Sequence, residues 1–454
     1  MSRPQLLIRG QRVCTPGGVR PAVLHLAEGR IVDVTDLDAP LPSDVNLVDA
    51  RALLVTPGIV DSHVHINEPG RTEWEGFRTA TEAAAAGGIT TVVDMPLNSI
   101  PPTTSADAAR RKQDALGDQL HVNVAFWGGV VPGNVKDLAG LQGFGVPGCK
   151  CFTCPSGVDE FPMSTRADLD VAMPVLRDLG RTLLVHAEAP GPLEAAERAI
   201  ASLDPRRYAT YLASRPRAAE DEGVAMIIEL VRRHRCPAHI VHLSSASAIP
   251  LLEAAQREGL PITAETCLHY LAFTAEEIPD GATHFKCAPP IREASNRELL
   301  WKGLESGVIS MVVSDHSPCT PALKKPETGD FMGAWGGISG LQLGLSVLWT
   351  LAAQRGHSVG DVVRWNALGP ARLAGLEQRK GQLAKGFDAD VVLWNDEASF
   401  QVNPSLIRHK HQVTPYAGRT LRGVVEQTFV GGRLAYSRAN GLERPGGRFE
   451  AVTT

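Results

Sequence analysis

The chain has 454 residues, 43% of them hydrophobic and 21% charged, with a formal net charge of −5. That composition suits a soluble globular protein with a large core, and the acidic balance offers no basic field for nucleic acid. No window approaches the roughly 18–20 apolar residues that span a bilayer, and the opening MSRPQLLIRG is too short in apolar residues for a secretory signal, so a cytoplasmic protein with no membrane partner is expected.

Residues 1–51 are β-rich, with the runs LLIRG and AVLHLAEGRIVDVTD and a turn at Gly29-Arg30. Residues 387–454 open in the same way, with ADVVLWN and then GVVEQTFVGGRLAYS, where Gly431-Gly432 makes a hairpin turn. Neither end has long helical periodicity, so 1–51 and 387–454 are expected to build one small β-sandwich domain. Between them, over 52–386, strand and helix patterns alternate, which implies a parallel sheet. Apolar runs begin near Gly58, Ile89, His121, Gly148, Thr182, Ala238, Ile262 and Ile309. Helical segments fall between them, such as TEWEGFRTATEAAAAGG, stopping on Gly87-Gly88, and AAEDEGVAMIIELVRRHR. Repeated βα units without a glycine-rich dinucleotide turn favour a closed (β/α)8 TIM-type barrel over an open doubly wound sheet. The fold class is therefore α/β, and since a barrel alone uses about 250 residues or more, the length needs no third domain. Two long connections, 189–216 and 317–337, are expected to shape access to a site; Trp335-Gly336-Gly337 ends the second.

Metal-ligand residue types stand at the ends of several apolar runs. They are His63 and His65 in GIVDSHVHI, Lys150 in GCKCF, His186 in TLLVHAE, His242 in AHIVHLSS and Asp315 in ISMVVSDHSP. A parallel barrel brings the C-terminal ends of its strands to one mouth, where its active sites lie. The His-x-His pair fits that geometry, because alternate residues on a strand point the same way. Taken singly, each histidine is more economically a structural one; jointly, their placement points to a two-metal hydrolase. Two readings of Lys150 stand. A buried lysine commonly pairs with a carboxylate, whereas a neutral amine can take up carbon dioxide as a carbamate, whose two oxygens bridge two cations. Cys149, Cys151 and Cys154 around it invite a zinc-cluster reading, but no second cysteine pair has structural-zinc spacing, and buried reduced thiols are the simpler account.

The ordered set His-x-His, Lys, His, His, Asp resembles the amidohydrolase superfamily in its cyclic amidohydrolase branch, as do the opening TPGIVDSHVH and the closing KGQLAKGFDADVVLW. The resemblance implies a pair of divalent metal ions of zinc type, with cobalt, iron or manganese as alternatives. By the same resemblance His63, His65 and Asp315 hold one metal, His186 and His242 the other, and carboxylated Lys150 bridges them. Asp315 would be the catalytic proton carrier, and the assembly a homotetramer. Within the branch, INEPGRTEWEGF and MPLNS resemble the allantoinase group. Dihydroorotases typically carry a carboxylate-binding arginine two residues after the second histidine; Asn67 stands there, which suits an uncharged ring such as allantoin. Asn67, Asn98, Cys287 and Ser317 are the expected substrate contacts, each with a plain turn or loop reading beside it. His316 is expected to point away from the site. The rivals are a hydantoinase/dihydropyrimidinase or dihydroorotase-like enzyme, a scaffold protein of the same fold, and a mononuclear deaminase using Glu188.

Overall fold

The computed structural model describes residues 3–452. Its centre is a ring of parallel strands: Ile59–Val64, Ile89–Asp94, Asn123–Phe126, Gly148–Phe152, Thr182–His186, Ala238–Ile240, Ile262–Cys267 and Met311–Val313. Every expected apolar run contains or leads into one of them. The third strand passes through Trp127 to Gly128–Gly129, which pairs with the fourth. The eighth meets the first where the His65 amide donates to the His316 carbonyl at 2.8 Å, so the ring is closed.

The strands read as near-continuous apolar runs because both their faces are covered. Inward, Val60, Val93, Ala125, Trp127, Phe152, Leu184 and Val241 fill the barrel. Outward, Cys149, Cys151, Leu183, Val185 and Ile240 pack under the helices. Each fully buried aliphatic or aromatic side chain contributes about 1.5–3 kcal/mol. The same alternation turns Lys150 inward and its neighbours Cys149 and Cys151 outward, which removes them from any shared metal cluster.

Helix positions differ from expectation in two places. The helix after the first strand is Phe77–Ala86 and omits the residues from Thr72 to Gly76. Gly76 has φ +121°, outside any helix, and the buried Glu75 turns inward to accept from the Lys410 amide at 3.0 Å. The connection 189–216 is not extended loop but carries the helices Pro190–Ile200 and Tyr208–Ser214. Pro190 begins the first of these, where its fixed φ suits a helix start. The second helical segment, Arg217–His234, forms as expected and stops at Arg235, φ +54°. Among the described residues no helix is long and apolar enough to cross a membrane.

The chain ends supply one mixed sheet. In sheet order its strands are Gly441–Leu442, Arg433–Ser437, Thr420–Val430, Val391–Gln401, Asn46–Pro57, Leu6–Thr15, Gly18–Ala27 and Arg30–Thr35. Both hairpin turns have positive φ at two successive residues, Glu28 (+51°) and Gly29 (+76°), one residue before the expected Gly29-Arg30 because Arg30 opens the next strand, and Gly431 (+55°) and Gly432 (+75°), as tight hairpins require. These hairpins belong to opposite halves of the sheet, yet Ala389 joins them: its amide donates to the Gly29 carbonyl at 2.8 Å and its carbonyl accepts from the Gly432 amide at 2.7 Å. The sheet therefore curls over a shared core that includes Ile8, Leu24, Ile31, Val55, Leu393 and Phe429. Strand Asn46–Pro57 runs through Gly58 straight into the first barrel strand.

The last described residues leave this sheet and return to the barrel. The Arg448 carbonyl accepts from the Val124 amide at 2.9 Å, and the Val452 amide donates to the Gly145 carbonyl at 2.8 Å. A buried ionic group anchors that return: Lys380 Nζ lies 2.8 Å from Asp390, 2.9 Å from Asp388 and 3.7 Å from Glu450. Asp388 and Glu450 also pair with arginines, but removing Lys380 takes away the cation beside the buried Asp390, and an unmatched buried carboxylate costs about 3–5 kcal/mol. Lys380→Met should accordingly lower the denaturant midpoint for unfolding by a corresponding amount. A midpoint equal to wild type would show that Arg379 and Arg30 suffice for the cluster.

Candidate metal centre

The strand ends converge on a cavity of about 400 Å³. His63, His65, Lys150, His186, His242 and Asp315 all line it. The rings of His63 and His65 are 5.5 Å apart, those of His63 and His242 5.4 Å, and those of His186 and His242 4.5 Å. Asp315 Oδ1 lies 3.3 Å from His63 Nε2 and 3.5 Å from His65 Nε2. His242 and Asp315 have φ values of +39° and +44°. Non-glycine residues rarely adopt that backbone, and such strain gathers at functional sites.

Carboxylates behind the ring orient the imidazoles. His63 Nδ1 donates to Glu265 at 2.5 Å, and His239 Nε2 also donates to Glu265, at 3.1 Å. His186 Nε2 donates to Glu188 at 2.6 Å and stacks on Phe152 with centroids 4.6 Å apart. Such a bond on one ring nitrogen leaves the lone pair of the other free for a metal. Asp61 accepts from the His63 amide at 3.2 Å and the Ser314 amide at 3.2 Å, tying the first strand to the eighth.

Charge follows from burial and partners. Burial raises the Asp61 carboxyl to about 6 and lowers the His65 imidazole to about 4; it also pushes His186 and His242 down. Burial alone would raise Glu188 and Glu265. Arg215 and His186 outweigh it at the first, and His63 and His239 at the second, holding both near 2. The result is neutral imidazoles at His65, His186 and His242 beside ionised Glu188 and Glu265, the protonation that metal ligation requires.

Whether this set fits a metal is tested by its unpartnered atoms. His63 Nε2, His65 Nδ1 and His242 Nδ1 are buried with no hydrogen-bond partner among the described residues. Buried polar atoms are rarely left so. His63, His65 and Asp315 also place their donor atoms within 4.8 Å of one another. Lys150 is buried over the Phe152 ring at 5.1 Å, and among the described residues no carboxylate pairs with it. The donor set fits a metal.

A family model, the amidohydrolase family, matches residues 54–435. The chain belongs to the amidohydrolase family. It is 51% identical to an allantoinase of Streptomyces avermitilis over 95% of each chain, and 46% identical to an allantoinase of Saccharomyces cerevisiae over 96% of each. Among solved structures it matches an L-hydantoinase (dihydropyrimidinase) from Arthrobacter aurescens at TM-score 0.94 and 28% identity, covering 98% of this chain and 99% of that one. Amidohydrolases of this type are metal-dependent, and the strand-end cluster is this chain's candidate site.

Of the expected substrate contacts in this amidohydrolase, Asn98, Cys287 and Ser317 line the cavity. Asn67 does not: its left-handed backbone, φ +66°, turns the side chain into the protein, where Nδ2 donates to the Pro318 carbonyl at 3.3 Å. The Ser317 hydroxyl donates to Asp315 Oδ1 at 2.8 Å, and the Cys287 carbonyl accepts from Tyr211 Oη at 2.6 Å. Gly337, φ +134°, packs so closely that a Cβ would sit 2.1 Å from the Ser317 carbonyl, so this glycine serves the tight loop contact behind the wall. His316 turns away, 3.3 Å from Glu75. Glu188 lies behind His186 in a pair with Arg215 and does not line the cavity, which removes the deaminase-type glutamate.

Sequence reasoning left Asp61, Glu265, Arg215 and Lys286 without roles. A signal for the first two was present. Asp61 shares the period of two with His63 and His65, and Glu265 is a lone charge inside an apolar strand. Nothing in the local pattern marks Arg215 or Lys286.

Proposed function

We propose that the chain hydrolyses the cyclic amide of allantoin to allantoate. The observation that carries this reading is the convergence of all six strand-end side chains on one cavity, in a chain 51% identical to an allantoinase. His63, His65 and Asp315 would hold one divalent cation and His186 and His242 the other, with Lys150 as a bridging carbamate. That no carboxylate among the described residues pairs with the Lys150 amine supports the carbamate over the ion-pair reading. Zinc is the metal we assign, with cobalt, iron and manganese as alternatives. Bound cations supply Lewis acidity to the ring carbonyl and to the attacking water. Asp315 takes a proton from that water as it adds to the ring carbonyl carbon. It then delivers the proton to the departing ring nitrogen as the C–N bond breaks, leaving a carboxylic acid, which ionises to the carboxylate with release of its proton, and a free ureido group. Ser317 steadies the Asp315 carboxylate through its hydroxyl, Asn98 and the backbone near Cys287 contact the ring, and Asn67 braces the turn before Pro318. We assign the small β domain to the terminal segments 1–51 and 387–454 and the barrel to 52–386, with the sheet strand running on to Pro57 and residues 448–452 returning to the barrel. The assembly is a cytoplasmic homotetramer, with a small molecule as its partner.

Substrate choice is the experiment. Metal-loaded protein offered allantoin, dihydroorotate and dihydrouracil side by side should turn over allantoin best. An arginine to hold the dihydroorotate carboxylate is missing at Asn67, and the relatives named above favour the ureido-bearing ring. Turnover of dihydroorotate or dihydrouracil at least equal to that of allantoin would reassign the chain to another amidohydrolase activity. No turnover of any cyclic amide by metal-loaded protein would favour the scaffold reading.

A further inference from the structure

The cavity wall carries a cation that the proposed chemistry leaves unused. Lys286 lines the cavity on its mouth side, in the segment FKCAPPIR. Its Nζ donates to the Met332 carbonyl at 3.0 Å and the Ala334 carbonyl at 2.6 Å, and lies 5.1 Å over the Tyr211 ring. A primary ammonium has three N–H donors, so one remains. The other cations near the cavity are occupied. Arg215 is paired with Glu188 through two of its nitrogens. Lys324 donates to the carbonyls of Trp335 and Gly337 and does not line the cavity. Among the described residues no acid lies within ion-pair distance of Lys286, although Glu197 shares the cavity wall.

A half-buried cation with a spare donor and no acid partner is a reader of oxygen acceptors. Its carbonyl partners belong to the outer loop, where Met332 is 37% exposed, whereas the metal ligands lie at the strand ends. A ring whose amide faces the ligand cluster has room to send its substituent outward along the wall that Lys286, Met332 and Trp335 line. Resting on the allantoin reading, we infer that Lys286 is a specificity-determining residue whose free N–H donates to the carbonyl oxygen of the substrate's ureido arm. The arm is then selected by a donor remote from the bond that breaks, and a bare hydantoin ring has no atom that uses it. Tyr211 and Trp335, both on the same wall, supply flat surfaces beside the arm.

The test compares ligands with and without the arm. Lys286→Met keeps the apolar stem and removes the donor. In metal-loaded protein its KM for allantoin should rise about tenfold or more, as for a lost hydrogen bond to a charged group, while kcat moves less than about threefold. The inhibition constant of hydantoin, the ring without the arm, should stay within about twofold of wild type, since no contact to it is removed. Lys286→Arg, which keeps a donor, should recover part of the loss. An unchanged KM in Lys286→Met would overturn the inference. So would a parallel rise in the allantoin KM and the hydantoin inhibition constant, the pattern produced if Lys286 only anchors the outer loop. Wild-type protein inert to allantoin would refute the proposed function itself before any variant is compared.

Discussion

Lys150→Ala should lose nearly all ring-opening activity and bind one metal ion per chain or fewer, where a two-metal site holds about two. The reason is geometric: Lys150 is the amine that the fourth strand turns into the cavity, beside Phe152, where the histidines of the first, fifth and sixth strands converge. A short carboxylic acid added to the alanine variant should restore part of the activity by supplying two bridging oxygens. Lys150→Arg should not respond to it, because a guanidinium stays protonated and places positive charge where the metals bind. The pH dependence of assembly follows from the amine. Burial lowers Lys150 from its ordinary value to about 8. Carbamate formation consumes the neutral amine, whose fraction grows as pH rises through that value. At equal concentrations of dissolved carbon dioxide, reconstitution of metal-free protein with metal should therefore run faster near pH 9 than at about pH 6.5, where an amine of this pKa is mostly protonated. Equal rates at both would mean that the neutral amine is not consumed.

Asp315→Asn should reduce kcat by about 10²–10⁴-fold, the range of a lost general base, with the fold intact. Asparagine preserves the shape and can still accept the Ser317 hydroxyl, but it cannot take a proton at neutral pH. Asp315 is held as a carboxylate by surrounding imidazoles that outweigh its burial, which is the state a proton acceptor needs. Metal content must be measured in the same sample, because the residue also belongs to the donor set. Activity above a few per cent of wild type with full metal content would remove Asp315 from proton transfer.

Much of this site was legible before any coordinates. Parallel strands covered on both faces leave apolar runs, and a barrel gathers their ends, so a polar residue closing each run marks the mouth. That logic found the six cavity residues from His63 to Asp315. It did not find how they are oriented. Glu188 meets Arg215 across 27 positions of chain through a connection read as loop but folded as two helices. Lys286 reaches the wall only because the outer loop folds back over it. Asn67 shows a different limit: its position relative to His65 is informative by comparison with an arginine, yet its left-handed backbone turns the side chain away from the cavity. The C-terminal return to the barrel had no local signal at all, because it rests on backbone pairing with Val124 and on the Lys380 cluster rather than on a hydrophobic pattern.

The most direct measurement is a high-resolution crystal structure of fully active protein, with anomalous diffraction recorded at the absorption edge of the bound metal. The account predicts two anomalous peaks within the ring of His63, His65, His186, His242 and Asp315, joined by extra density continuous with Lys150 Nζ. A single peak, or an unmodified amine at Lys150 in protein of full activity, would contradict it.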